Sequence, residues 1–128
     1  MAWEVEYTDE FGDWWNGLTS EEQIELAAKV RLLEQHGPVL PRPHSDAIAT
    51  SKHANMKELR CRVVFPHHRA ALWVLYAFDP RRNAVLLIGG DKTGKPGWYE
   101  KYVPVADRLF DDHLKQIERE DKKRGQKI

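Results

Sequence analysis

The stretch Glu58–Gly90, ELRCRVVFPHHRAALWVLYAFDPRRNAVLLIGG, decides the fold. Leu59, Cys61, Val63 and Phe65 alternate with Glu58, Arg60, Arg62 and Val64, the period of a strand with one face in a core. Pro66-His67-His68 supplies a turn, and Leu72–Phe78 is apolar on both faces, as a central strand is. A second turn at Asp79–Asn83 leads into Ala84–Ile88. Connections this short join neighbours, so the three strands form an antiparallel meander.

Upstream, Trp3, Val5 and Tyr7 alternate with Ala2, Glu4 and Glu6 and predict a first strand. Phe11, Trp14, Trp15 and Leu18 then recur at helical spacing, with Thr8 as cap and Asp9 and Glu10 in the first turn. A second helix starts at Thr19, with Glu22 at capping-box spacing, carries Leu26, Val30 and Leu33 on one stripe, and closes at His36-Gly37-Pro38. As an antiparallel pair the two helices can cover one face of the sheet. Val39–His53, with Pro41 and Pro43 and no sustained period, reads as an ordered loop.

Downstream, apolar residues end at Gly89-Gly90, and Asp91, Lys92, Thr93, Lys95, Tyr99 and Lys101 follow closely. Pro104 suits the first turn of a last helix, whose buried face is Val103, Ala106, Leu109, Phe110, His113, Leu114 and Ile117. The order β-α-α-β-β-β-α predicts a small α+β domain over residues 1–117, with a central, mainly antiparallel sheet and helices packed against it. Residues 118–128, EREDKKRGQKI, have no apolar stripe and read as a charged, flexible tail.

The 128 residues suit one core rather than two. Cys61 stands alone and cannot form an internal disulfide. No signal peptide is visible, and no apolar run approaches the roughly 20 residues of a membrane span, so a soluble, cytoplasmic protein is expected. Formal net charge is zero, but it is unevenly spread. Residues 1–50 hold ten acids against three Lys/Arg; residues 51–102 hold ten Lys/Arg against four acids. The second segment can attract a polyanion, or its cations can simply solvate the outer faces of a sheet.

Several local matches fail on context. The turn Gly89–Thr93 lacks the spacing of a nucleotide-binding P-loop, and the dinucleotide fingerprint is absent. Asp91-Lys92-Thr93-Gly94 matches the phosphorylated tetrapeptide of cation-pumping ATPases, without their other segments. Adjacent His67 and His68 point to opposite faces of a strand, no local spacing completes a zinc site, and His113 falls on the packed side of its helix. Neither metal nor cofactor is expected.

RNA phosphodiester chemistry needs less machinery: an aligned 2′-OH, a base, cations for the phosphoryl oxygens and an acid for the leaving oxygen. Arg60, with its rigid five-donor fork, and Lys92, at the end of the fourth strand, are candidates for the charge. Tyr99 and Lys101 are candidates for proton transfer or positioning, and Trp98 for stacking a base. The competing reading makes each cation a solvated strand edge and packs Trp98 and Tyr99 beneath the last helix.

Four segments in order carry a family resemblance: Met56-Lys57-Glu58-Leu59-Arg60, Leu75–Arg82, Leu86–Gly94, and Tyr102–Leu114 with VPVADRLFDDHL. Over Trp3–Ile117 the chain resembles the HigB-like, phage-derived branch of the RelE toxin superfamily of type II toxin–antitoxin systems. The resemblance implies a compact RelE-like sheet with packed helices and ribosome-dependent cleavage of messenger RNA. It also implies a cognate antitoxin, often with a helix-turn-helix domain, whose complex with the toxin binds operator DNA. It makes Lys57, Arg60 and Lys92 the carried-over RNA contacts, with Tyr99 and Lys101 as further catalytic candidates. Arg62, Arg69, Trp73, Lys95 and Trp98 complete the RNA-binding set.

One departure matters. Relatives often carry Arg immediately before the V-L-Y-A-F strand, where this chain has Trp73. Indole stacks on a base but brings neither the charge nor the five donors of a guanidinium. Arg69 lies four residues away, about 13 Å along an extended strand, so Arg62 across the sheet is left to compensate. The alternative is therefore a catalytically weak homologue that binds antitoxin and co-regulates its operator, using the acidic helical half against a basic partner.

Overall fold

The computed structural model describes residues 2–125. Its elements are β1 (Val5–Tyr7), α1 (Asp9–Asn16), α2 (Ser20–His36), a 3-10 turn (Gly37–Val39), β2 (Ser45–Ala47), β3 (Lys57–Phe65), β4 (His68–Phe78), β5 (Ala84–Asp91) and α3 (Trp98–Gly125). They form one five-stranded sheet in the order β1-β5-β4-β3-β2. Only β1 and β5 are parallel; the expected meander β3-β4-β5 is antiparallel throughout. Among the described residues, no helix is long and apolar enough to cross a membrane.

Period-two alternation sends the two faces of the sheet to different helices. Leu59, Cys61, Val63, Leu72, Val74 and Leu86 face α1 and α2, where they meet Phe11, Leu26 and Leu33. Trp73, Leu75, Ala77, Val85 and Leu87 face α3, against Trp98, Val103, Ala106 and Phe110. A bulge beside Leu75 and Tyr76 shifts the β4–β5 register. Beyond it Gly89 pairs with Val74 and Gly90 with Trp73, so the two glycines face opposite layers. Each is required by close approach: a Cβ at Gly89 would collide with the Trp14 ring, and one at Gly90 would stand 2.9 Å from Trp98 Nε1.

The predicted caps form. Thr8 Oγ1 accepts from the Phe11 N–H at 3.0 Å and donates to the Leu87 carbonyl at 2.6 Å, tying α1 to β5. Thr19 and Glu22 close a reciprocal capping box at 2.9 and 3.1 Å.

Three expectations change. Within the expected loop, Ser45–Ala47 forms an edge strand on β3, with Asp46 opposite Glu58. Three residues just after Pro41 and Pro43 are too few to show a period, and β3 supplies the hydrogen bonds that extend them. The last helix starts at Trp98 rather than at Pro104, because the indole is only 1% exposed and anchors an earlier turn. Pro104 lies inside α3 on its exposed side, where the lost backbone hydrogen bond is offset by that anchoring. Finally, α3 continues through Gly125, with Arg81 from the β4–β5 turn paired to Glu120 at 2.8 Å and Asp121 at 3.2 Å. Residues 126–128 of the expected tail lie outside the described residues.

Candidate functional site

The register of the meander sets Arg60 of β3, Trp73 of β4 and Gly90 of β5 side by side. Their side of the sheet is the one α3 covers, and α3 begins at Trp98 just beyond the Lys92–Gly97 turn. Asp91 organises that turn by accepting from the backbone N–H of Ala71 at 3.1 Å and of Thr93 at 3.0 Å. Burial raises the Asp91 carboxyl, but these hydrogen bonds and Lys95 outweigh it and leave it below the usual range. Gly94 takes a φ of 65°, which lets the chain reverse toward α3.

Lys92 leaves the turn toward the α3 side. Its ammonium lies 4.5 Å from the centre of the Tyr99 ring and 5.3 Å from that of Trp73. Arg62 approaches the Trp73 ring as well, at 5.0 Å. A cation over an indole face is stabilised by the ring quadrupole, so Trp73 acts here as a platform for two cations. Lys92 Nζ also donates to the Tyr99 hydroxyl at 3.1 Å, and that hydroxyl donates to Glu58 Oε2 at 2.7 Å. The other Glu58 oxygen accepts from Arg60 Nη2 at 2.9 Å, and the same nitrogen reaches Asp46 Oδ2 at 3.1 Å. One continuous chain thus runs Lys92–Tyr99–Glu58–Arg60–Asp46.

The electrostatics follow from burial. Glu58 is 3% exposed, and its carboxylate is satisfied by a guanidinium and a phenol. Burial, and then the neighbouring Glu58 carboxylate, push the Tyr99 phenol up to about 12, so it stays protonated at neutral pH. Hydrogen bonding to Glu58 raises Arg60 above its ordinary value. The Trp73 N–H lies near the phenol without reaching hydrogen-bond geometry, and Arg60 Nε is likewise buried without a partner. The cluster therefore offers cations for an anion, a neutral phenol as proton donor, and a carboxylate behind it.

Of the candidate residues, Arg60, Arg62, Trp73, Lys92 and Tyr99 come together. Lys57 does not: it lies three residues from Arg60 on the other face of β3, and its ammonium donates to the Pro38 carbonyl at 2.7 Å. Lys95 is exposed in the turn. Lys101 lies over Tyr102, 5.2 Å from the ring centre. Arg69 is exposed opposite Val64, four residues along β4 from Trp73.

Two of the candidate RNA contacts are buried. Trp98 is buried between Gly90 and Tyr102, with its ring 4.8 Å from that of Tyr102, and presents no open face. Trp73 is 3% exposed beneath Arg62 and Lys92, so its surface is already occupied.

Glu58 and Asp46 were not among the sequence candidates. Glu58 had a signal, because an acid two residues before Arg60 shares its strand face. Asp46 had none, since its strand was not legible.

Elsewhere, Cys61 is buried, which pushes its thiol up to about 11 and keeps it unreactive. His67 lies in the β3–β4 turn and His68 opens β4, and they are bonded to Glu21 and Glu22 at the start of α2. Glu6, Asp79 and His113 bring potential metal-ligand atoms within 4.8 Å of one another. Asp79 is already occupied there by the Asn83 N–H at 2.9 Å and by His113 at 2.8 Å, clamping α3 to the β4–β5 turn.

Residues 13–111 match the family described as phage derived protein Gp49-like (DUF891). The chain belongs to that family. Its relatives include the candidate toxins HigB2 and HigB3 of Mycobacterium tuberculosis (strain ATCC 25618 / H37Rv). HigB2 is 40% identical over 106 residues, which are 82% of this chain; the match spans 51%, about half, of HigB2 itself. HigB3 is 37% identical over 102 residues, covering 79% of this chain and 84% of HigB3. A double mutant of E. coli toxin RelE in the free state shares the fold, with a TM-score of 0.56 over 78% of this chain and 94% of that one. Its 11% identity carries the architecture alone. The Gp49-like chain is thus a relative of the HigB toxins with a RelE-like fold.

Proposed function

We propose that this Gp49-like protein is a ribosome-dependent messenger RNA endoribonuclease that inhibits translation in the cytoplasm. It would be restrained by a cognate antitoxin, and the pair would bind operator DNA through an antitoxin helix-turn-helix domain. The observation that carries the reading is the gathering of Arg60, Arg62 and Lys92 around Trp73 and Tyr99, on one face of the sheet. Cations held over a buried floor are suited to the non-bridging oxygens of a phosphodiester as charge builds during in-line attack. In this reading, Lys92 and Arg62 supply the charge that the Trp73 indole does not. The acidic half of the chain offers a surface of opposite sign for a basic segment of the antitoxin.

Cleavage of a defined messenger on programmed ribosomes tests this. Wild type cuts the message, and Lys92→Ala and Arg60→Ala retain their fold but cut about 100-fold more slowly or worse. An intact message with folded wild type would refute the nuclease reading. Tight antitoxin and operator binding without cleavage would then establish the alternative, a regulatory homologue.

A further inference from the structure

The proposed reaction still lacks a base, and a base must be uncharged or anionic when it takes the proton. The three cations of the cluster are poorly suited to that step. Among the described residues, one carboxylate is tied directly to the phenol: Glu58, whose Oε2 accepts from the Tyr99 hydroxyl at 2.7 Å. At 3% exposure, Glu58 is buried behind the Tyr99 hydroxyl. Tyr99, by contrast, is only half-buried.

Resting on the nuclease reading, we propose that Glu58 is the proton-accepting positioning residue of the site and acts through the Tyr99 phenol. The 2′-oxygen forms its bond to phosphorus while its proton passes to the Tyr99 oxygen. The phenol's own proton passes in the same step to Glu58 Oε2. The bond from phosphorus to the 5′ oxygen breaks, and that oxygen takes a proton from the Lys92 ammonium. The products are a 2′,3′-cyclic phosphate and a 5′-hydroxyl. Lys92 Nζ lies 3.1 Å from the Tyr99 hydroxyl, so the proton on Glu58 returns to Lys92 along the same chain and the site resets without a co-reactant.

The surroundings of Glu58 define its side of the relay. Arg60 on its own strand holds Oε1 at 2.9 Å, which fixes the carboxylate and leaves Oε2 to the phenol. Asp46 stands opposite from β2 and is itself engaged by Arg60 and Arg42. β4 presents Leu75 and Trp73, which do not titrate; α3 presents Tyr99, with Lys92 of the β5 end behind it. A phenol held neutral up to about 12 keeps its proton in place until the step begins.

Single-turnover cleavage on programmed ribosomes, followed between about pH 5 and pH 9, tests the relay. Wild type should show a rate that rises with pH on the acidic side. Glu58→Gln should be slowed about 100- to 1,000-fold and lose that rise. Tyr99→Phe should be slowed comparably, and the double variant should be no slower than the worse single one, because the two groups act as a unit. Glu58→Asp keeps the charge and should recover part of the rate together with the acidic limb, which separates proton transfer from a folding defect. The proposal is overturned if Glu58→Gln cleaves like wild type, if it is slow but keeps the wild-type acidic limb, or if the two losses multiply. A folded wild type that leaves the message intact would overturn the nuclease reading itself; any of the other failures would leave that reading standing.

Discussion

The two faces of the sheet differ in how completely they are covered. On the α1/α2 face, Leu59, Cys61 and Val63 of β3 are buried without interruption. On the α3 face the same strand offers Glu58, Arg60 and Arg62, which grade from buried through half-buried to exposed. The α3 helix closes over Leu75, Ala77 and Val85 and leaves the end of the sheet near the Lys92–Gly97 turn to charged groups. A fully covered face stabilises through packing. A partly covered one holds charges at an interface where desolvation strengthens them without stranding them. On β3, packing residues and charged residues therefore take opposite sides of one strand.

Three measurements sharpen or break that division. The largest effect on stability belongs to the covered face: Leu59→Ala should lose about 2–5 kcal/mol in urea unfolding. Arg62→Ala on the other side of β3 should leave the unfolding midpoint near wild type. Equal losses at the two positions would erase the distinction. Next come the adjacent glycines. Gly89→Ala drives a methyl into the Trp14 ring and should cost about 1–3 kcal/mol. Gly90→Ala meets Trp98 Nε1 at 2.9 Å, a milder conflict, and should lose less in the same assay.

The smallest effect is at the edge of the covered layer. Burial acts to raise Glu22, but the Thr19 N–H and His68 hold its carboxyl below the ordinary value of 4.5. A lowered carboxyl stabilises the fold above its unfolded value and stops doing so as pH falls through the folded one. Glu22→Ala should therefore lose about 1 kcal/mol at neutral pH. The gap from wild type should narrow progressively as pH falls below 4.5, as the carboxyl takes up its proton in both states.

Much of this architecture was legible along the chain. The alternation from Leu59 to Phe65, the capping box at Thr19 and the stripe of Leu26, Val30 and Leu33 are local patterns whose physical cause lies within a few residues. Nearest-neighbour periodicity also put Arg60, Arg62 and Glu58 on one strand face, and the family resemblance pointed to Lys92. The short strand at Ser45–Ala47 was not legible, because its hydrogen bonds belong to β3 and its own three residues carry no period. Nor was the early start of α3, which depends on Trp98 finding a pocket against Gly90.

The sequence by itself determined the order of elements, the two-sided character of the strands and the candidates Arg60 and Lys92. Only the tertiary structure decided that Trp73 lies under cations, that Lys57 faces away, and that Glu58 meets Tyr99 across 41 positions of chain. Periodicity fixes which face a side chain takes, because that follows from local backbone geometry. Which groups meet on that face depends on register and helix placement, set by packing between segments far apart in the chain.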